Sequence, residues 1–422
     1  CLQAVPVMAR PLGPRARTKA IDYSQGLSVV AIQDVYRGAA VKGLKRGTVK
    51  KIRVVAIGYR AAYIGWNSQY LERMVGTDGK IGSPVAVGNG TYDVKHVLGE
   101  ADVEADGSCN FLVPSRTPVY YQLVDEKGCM VQTMRSWVTM MPGEPSSCIG
   151  CHEFRNDAGA SRTALAFRRP PQKLRPAVPG MEHPLMAELE KKSPLDDLGV
   201  FMGVNRPERV DGTGETGAFS FPRHIQPILD RRCISCHDGS RPEPPLNKLG
   251  GAPEKAMCFD LRGVPGNLPS SDDNAHRAYT RSYLNLSCYG FCNDMVNFSH
   301  GCDQVPFQQP SAFGASQSRY WQMLAKGHPD TNGRPRVRLT DDELKTLAIW
   351  IDLGVPFVGG YCECNTWTDV QKRRYLWFQN KRVYFAGQEL NDIRREKGLG
   401  PVSLDGYVPG IDCPDKMKNW FD

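Results

Sequence analysis

The chain has 422 residues, 41% of them hydrophobic, and a formal net charge of +8. That length allows two or three domains with real cores, and no run of about 18 apolar residues is present to span a bilayer. The charge is moderate for this size and supports no more than long-range steering toward an acidic partner, such as another redox protein.

Residues 1–27 read as an extended arm, with Arg10, Pro11, Pro14, Arg15 and Arg17 and no periodicity. Its first residue, Cys1, is a candidate for a lipid anchor, as in a mature lipoprotein. From 28 to 167 the pattern is β. Val49 to Ile57 is a continuous strand-like run, and Asp106-Gly107 predicts a hairpin inside Val103 to Val113. Val119 to Val124 and Cys129 to Val138 flank a second turn at 125–128. Short strands at this spacing predict a small β-sandwich. Cys109 and Cys129 lie beside these turns and are candidates for a disulfide.

At the end of the β region stands Cys148-Ile149-Gly150-Cys151-His152, and the pattern recurs as Cys233-Ile234-Ser235-Cys236-His237. A Cys-x-x-Cys-His string is a c-type haem attachment site. Two thiols on one turn bond the two vinyl groups of a porphyrin, and the adjacent His lies under the iron as its proximal ligand. The plain competitor is one four-thiolate zinc site or a redox dithiol, but zinc does not require a His directly after both pairs. Two covalently bound haem c groups are therefore expected, the first at the edge of the β-sandwich.

Haem attachment of this kind takes place outside the cytoplasm, so the expected location is periplasmic or extracellular, with membrane anchoring as a lipoprotein if Cys1 is lipidated. Nucleic acid has no place in that setting. Four of the 14 Cys would be taken by haem, and the other ten are too many for a reduced cytosol, which points to disulfides.

Residues 168–217, opening with RRPPQKLRPAVPG, read as a Pro/Gly-rich linker that includes a short amphipathic piece from Met186 to Leu198. Residues 218–361 outline a helical cytochrome c-like domain. Ile225, Ile228 and Leu229 recur at helical spacing before the second motif. A closing helix is marked by a capping box at Thr340 and Glu343, apolar Leu344, Leu347, Ala348 and Ile351, and a stop at Gly354 and Pro356. Between them lies a Cys-rich insertion at about 240–320, with Cys258, Cys288, Cys292 and Cys302 as its staples. Cys288 and Cys292 are followed by Asn293 and make no third haem site. In the extension at 362–422, Cys362, Cys364 and Cys413 bracket a basic, aromatic helix that is expected to pack on the domain. The fold class expected is α+β.

Eight His are present, and His152 and His237 are fixed by the motifs. His328, in Lys326-Gly327-His328-Pro329 just before the capped helix, is the best distal ligand for the second haem; His276 and His300 are its competitors. For the first haem His96, His183 or an open distal face all remain, and the choice matters: an open iron can bind substrate, whereas a bis-ligated one carries electrons.

The run from Asp106 to Glu153, together with FPRHIQPILDRRCISCHDG and KGHPD…LTDDELKTLAIWIDLGVPF, resembles the middle and C-terminal haem domains of the hydrazine synthase alpha subunit and related planctomycete-type dihaem cytochromes c. The resemblance covers about residues 30–155 and 220–357. It implies two His ligands on the second haem, here His237 and His328. It implies further that the first haem is catalytic, held by a Tyr four residues after the motif His while that His binds zinc. Asn156 stands at the Tyr position, and the family's N-terminal propeller is not among these residues. Both departures lead to the expectation that His152 ligates its own iron.

The function expected is an exported dihaem cytochrome passing electrons between redox proteins or other cytochrome subunits, within an oligomer or larger assembly. The alternative is a haem enzyme of the hydrazine synthase alpha type, acting on a small nitrogen compound or peroxide at the first haem. A haem-reinforced cell-surface structural protein is the third class.

Overall fold

The computed structural model describes residues 21–59, 94–151, 164–208, 216–240, 260–266, 278–287, 309–330 and 332–407. Cys1, His152, Asn156, Cys258, His276, Cys288, Cys292, His300, Cys302 and Cys413 lie outside the described residues.

Among the described residues, seven strands build two sheets: β1 (Leu27–Ile32), β2 (Lys51–Ile57), β3 (Lys95–Asp102), β4 (Cys109–Pro114), β5 (Val119–Val124), β6 (Met130–Thr133) and β7 (Pro145–Cys148). One sheet has the order β4-β1-β7 and the other β3-β2-β5-β6. The β5–β6 hairpin forms around the 125–128 turn, with Gly128 at φ +83°. The turn at Asp106-Gly107 also forms, but it makes no hairpin. It carries the chain from β3 in one sheet to β4 in the other. Gly107 adopts φ +85°, and a Cβ there would fall 2.4 Å from the Asp34 carboxylate, so only glycine fits. Sequence marks the bend; which strand the next segment pairs with is settled by long-range packing.

Period-2 alternation explains why β2 and β5 are buried on both faces. Ile52, Val54 and Ala56 on β2 and Val119, Tyr121 and Leu123 on β5 enter the core between the sheets. Val55 and Tyr120 point the other way, into a second core shared with the helical region. The chain is thus layered as sheet, sheet and helices.

The helical layer opens with a wide turn at Phe221–Ile225 that runs into α3 (Gln226–Arg232). Short helices α1 (Pro184–Leu189) and α2 (Leu198–Met202) precede it within 168–217, a segment bridged to both sheets at Gln172 and Arg175. Helix α4 (Arg281–Ser287) brings Tyr283 onto Phe221 and Phe357, with ring centroids 5.1 and 4.6 Å apart. Helix α5 is Arg319–Lys326 and α6 is Asp341–Asp352. The capping box of α6 forms at Thr340 and Glu343, with Asp341 and Asp342 also in its positive first turn. Its Leu347, Ala348 and Ile351 are buried in the shared core. The long α7 (Asp369–Glu396) stacks Arg382 on Tyr59, 3.5 Å from the ring centroid.

Polar groups fix the helical layer on the sheet. Buried Arg53 on β2 donates to Glu100, Gln122 and the Gly128 carbonyl, and lies 3.6 Å from Asp352 at the end of α6. Asp352 in turn accepts the backbone N–H groups of Met130 and Ala315. Cys109 and Cys129 form no disulfide. The first is buried between the two sheets and the second on the far face, in the core shared with the helices. Burial pushes the Cys109 thiol up to about 12.

Candidate haem sites

The second motif is built where α3 ends. Cys233 is the helix C-cap, its N–H bonding to the Leu229 carbonyl, and the N–H groups of Cys236 and His237 both return to the Cys233 carbonyl. The chain therefore winds one tight turn that puts both thiols and the imidazole on one side. Burial is the main cause that pushes the Cys233 thiol up to about 11. The Leu261 N–H bonds to the His237 carbonyl and clasps the turn from outside.

His328 reaches this turn from α5. Gly327, at φ +93°, ends that helix, and the chain then runs extended through His328. The His237 and His328 rings face each other with centroids 5.8 Å apart at 61°. A metal held between two imidazoles, each nitrogen about 2 Å away, sets ring centroids about 6 Å apart, so the pair fits one iron. The tautomer fits as well. His328 Nδ1 lies 2.8 Å from the Pro329 carbonyl, which can only accept, so Nδ1 carries the proton and Nε2 keeps its lone pair for a metal.

The first motif sits at the rim of the sandwich. β7 pairs in parallel with β1, opposing Cys148 to Ile32, and the Cys151 N–H bonds to the Arg37 carbonyl at 2.7 Å. A Cβ on Gly150 would fall 2.3 Å from that carbonyl oxygen, so the close approach of the 34–37 loop calls for glycine between these thiols. His152 follows immediately but lies outside the described residues. Cys148 and Cys151 adjoin the sandwich core and Cys233 adjoins the shared core, and no group of three or more His, Cys, Asp or Glu that could hold a metal is present among the described residues. A shared four-thiolate zinc site is therefore not formed among these four thiols.

His96 and His183 are brought together, but with each other and not to the first motif. Their Nδ1 and Nε2 atoms are 3.0 Å apart, and both side chains are buried. The Leu185 N–H donates to His183 Nδ1, so His183 Nε2 carries the proton and donates to His96 Nδ1. His96, neutral with Nδ1 accepting, then carries its proton on Nε2. No ring nitrogen of the pair retains a free lone pair. Topology agrees: Asp102, at the end of β3 beside Cys109, lies toward the Cys148 end of the sandwich, and His96 is six residues back along the strand, about 20 Å away.

Burial, with Arg206 nearby, holds His183 down to about 4, and burial, with His183 next, holds His96 well below its usual range. A histidine depressed when folded contributes stability that is complete above the ordinary value of 6.5 and is lost as pH falls toward 4. The gap at His183, about two and a half pH units, is equivalent to about 3 kcal/mol. Denaturant midpoints measured from pH 7 down to pH 4.5 should fall steeply, and His183→Gln should flatten that fall. A parallel decline in both proteins would remove the pair as its cause.

Comparison with known proteins places this arrangement in context. Residues 47–153 match the family described as the hydrazine synthase alpha subunit middle domain. A similar protein is hydrazine synthase subunit alpha of Kuenenia stuttgartiensis, 26% identical over 357 residues, which covers 76% of this chain and 39% of that protein. The chain thus spans about two fifths of that relative's length. The solved Kuenenia stuttgartiensis hydrazine synthase aligns over 80% of this chain and 44% of its own, at 19% identity and a TM-score of 0.48. The chain resembles the alpha subunit. No helix among the described residues is long and apolar enough to cross a membrane.

Proposed function

We propose that this chain is an exported dihaem c-type unit of a larger assembly, in which the second haem relays electrons. The carrying observation is the facing His237–His328 pair beside Cys233 and Cys236, with His328 Nε2 left free to ligate. A haem c bound there supplies one-electron chemistry at its iron. Cys233 and Cys236 would tether it, His237 and His328 would ligate its iron and so exclude small ligands, and the Pro329 carbonyl holds the His328 ring in its ligating tautomer. Cys148 and Cys151 would hold the first haem, and His152 would ligate its iron.

A specific observation favours a second reading for that first site. With His96 and His183 hydrogen-bonded to each other, neither would be drawn to the first haem, and an iron without a second protein ligand would suit a haem enzyme of the hydrazine synthase alpha type. Carbon monoxide added to the reduced protein separates the readings. One binding haem supports catalysis at the first site, and none supports a relay throughout. His328→Ala should add one carbon monoxide site, turn one haem from low to high spin and raise its potential. An unchanged spectrum in that variant would remove His328 from the iron.

A further inference from the structure

Two buried tyrosines stand beside the two motifs, and neither has been given a role. Tyr121 on β5 is 7% exposed and Tyr320 on α5 is 4% exposed. Among the described residues, both hydroxyls are buried without a hydrogen-bond partner. Tyr121 packs in the sandwich core that Cys148 and Cys151 adjoin, and Tyr320 packs in the shared core that Cys233 adjoins. Burial first, and then the neighbouring motif cysteine, pushes each phenol up: Cys148 acts on Tyr121 and Cys233 on Tyr320. Both hydroxyls therefore keep their protons and remain donors.

A buried O–H in a native protein nearly always finds an acceptor. Here the described residues provide none at either position, and the same gap recurs beside both attachment turns. A haem c brings two carboxylates, the propionates, which are the strong acceptors of the group, and a bond from a neutral O–H to a carboxylate is charge-assisted. We propose that Tyr121 and Tyr320 are haem-positioning residues, each donating its hydroxyl hydrogen bond to a propionate of the haem attached beside it. This rests on the dihaem reading above.

Tyr121→Phe and Tyr320→Phe remove only the oxygen and preserve the packing. Haem content of the full chain is measured first by pyridine haemochrome, then the potential of each haem against pH, with resonance Raman of the propionate modes. The expected result is two haems in each variant. One potential falls, because the unscreened carboxylate favours ferric iron, and its pH inflection moves up, because the propionate holds its proton more tightly. Each variant should shift a different haem and leave the other in place. Loaded variants with both potentials, inflections and propionate modes unchanged would overturn the proposal. A parent protein that holds no covalent haem would overturn the dihaem reading itself, and the proposal with it.

Discussion

Replacing Cys233 and Cys236 together with Ser is expected to lower the covalent haem content from two per chain to one and to loosen the whole helical layer. Both thiols sit on the turn that ends α3, and Cys233 adjoins the core that gathers Leu229, Tyr320, Leu324 and Leu347. A haem held by Cys233, Cys236, His237 and His328 would pack against that core. Without it that core loses its largest apolar component, and His328 loses its partner across the iron. Large core deletions cost about 2–5 kcal/mol even for single side chains, and a haem is several times larger. The sandwich holds a separate core between its two sheets, so the first haem should stay attached. A haemochrome assay with limited proteolysis reads both effects: one haem, and cleavage concentrated beyond residue 216. Two haems in the double variant, or equal proteolysis of both halves, would contradict this account.

Arg53→Met should be the most damaging single substitution away from the motifs. The guanidinium is 1% exposed, 3.0 Å from Glu100 and 3.6 Å from Asp352, whose side chain is wholly buried. Methionine fills the volume but leaves Asp352 without its cation and Glu100 with Lys51 alone, and removing one partner from a buried ion pair costs about 3–5 kcal/mol. Asp352 sets the pH dependence. Burial raises it from 3.8 to about 6, with Arg53 pulling it down. A carboxyl raised on folding contributes stability that is complete below its unfolded value and is lost as pH rises through the folded one. Without Arg53 the folded value climbs further, so the ionised carboxylate weighs more heavily at neutral pH. The deficit of Arg53→Met, measured by denaturant unfolding, should therefore be larger at pH 8 than at pH 5. A deficit independent of pH would show that Asp352 does not feel the guanidinium.

What the amino-acid sequence determined by itself was local. The Cys-x-x-Cys-His spacings needed only a single turn to be read, and so did the Thr340–Glu343 capping box that forms at the start of α6. His328 could be singled out because it stands in Lys326-Gly327-His328-Pro329, a loop segment just before a capped helix, and its ring does lie beside that of His237. The β5–β6 turn was legible for the same reason. Only the tertiary structure decided the rest, because it depends on pairing between residues distant in the chain. β7 finds β1 across more than a hundred residues, which places the first motif at the sandwich rim. Asp106-Gly107 turns the chain but does not choose the sheet that receives β4. His96 and His183, each a credible ligand when read singly, meet across 87 residues and share one hydrogen bond. Arg53, Tyr121 and Tyr320 show no signal in the sequence, since a charge or a hydroxyl on a strand or helix reads as ordinary until burial removes the water that would otherwise satisfy it.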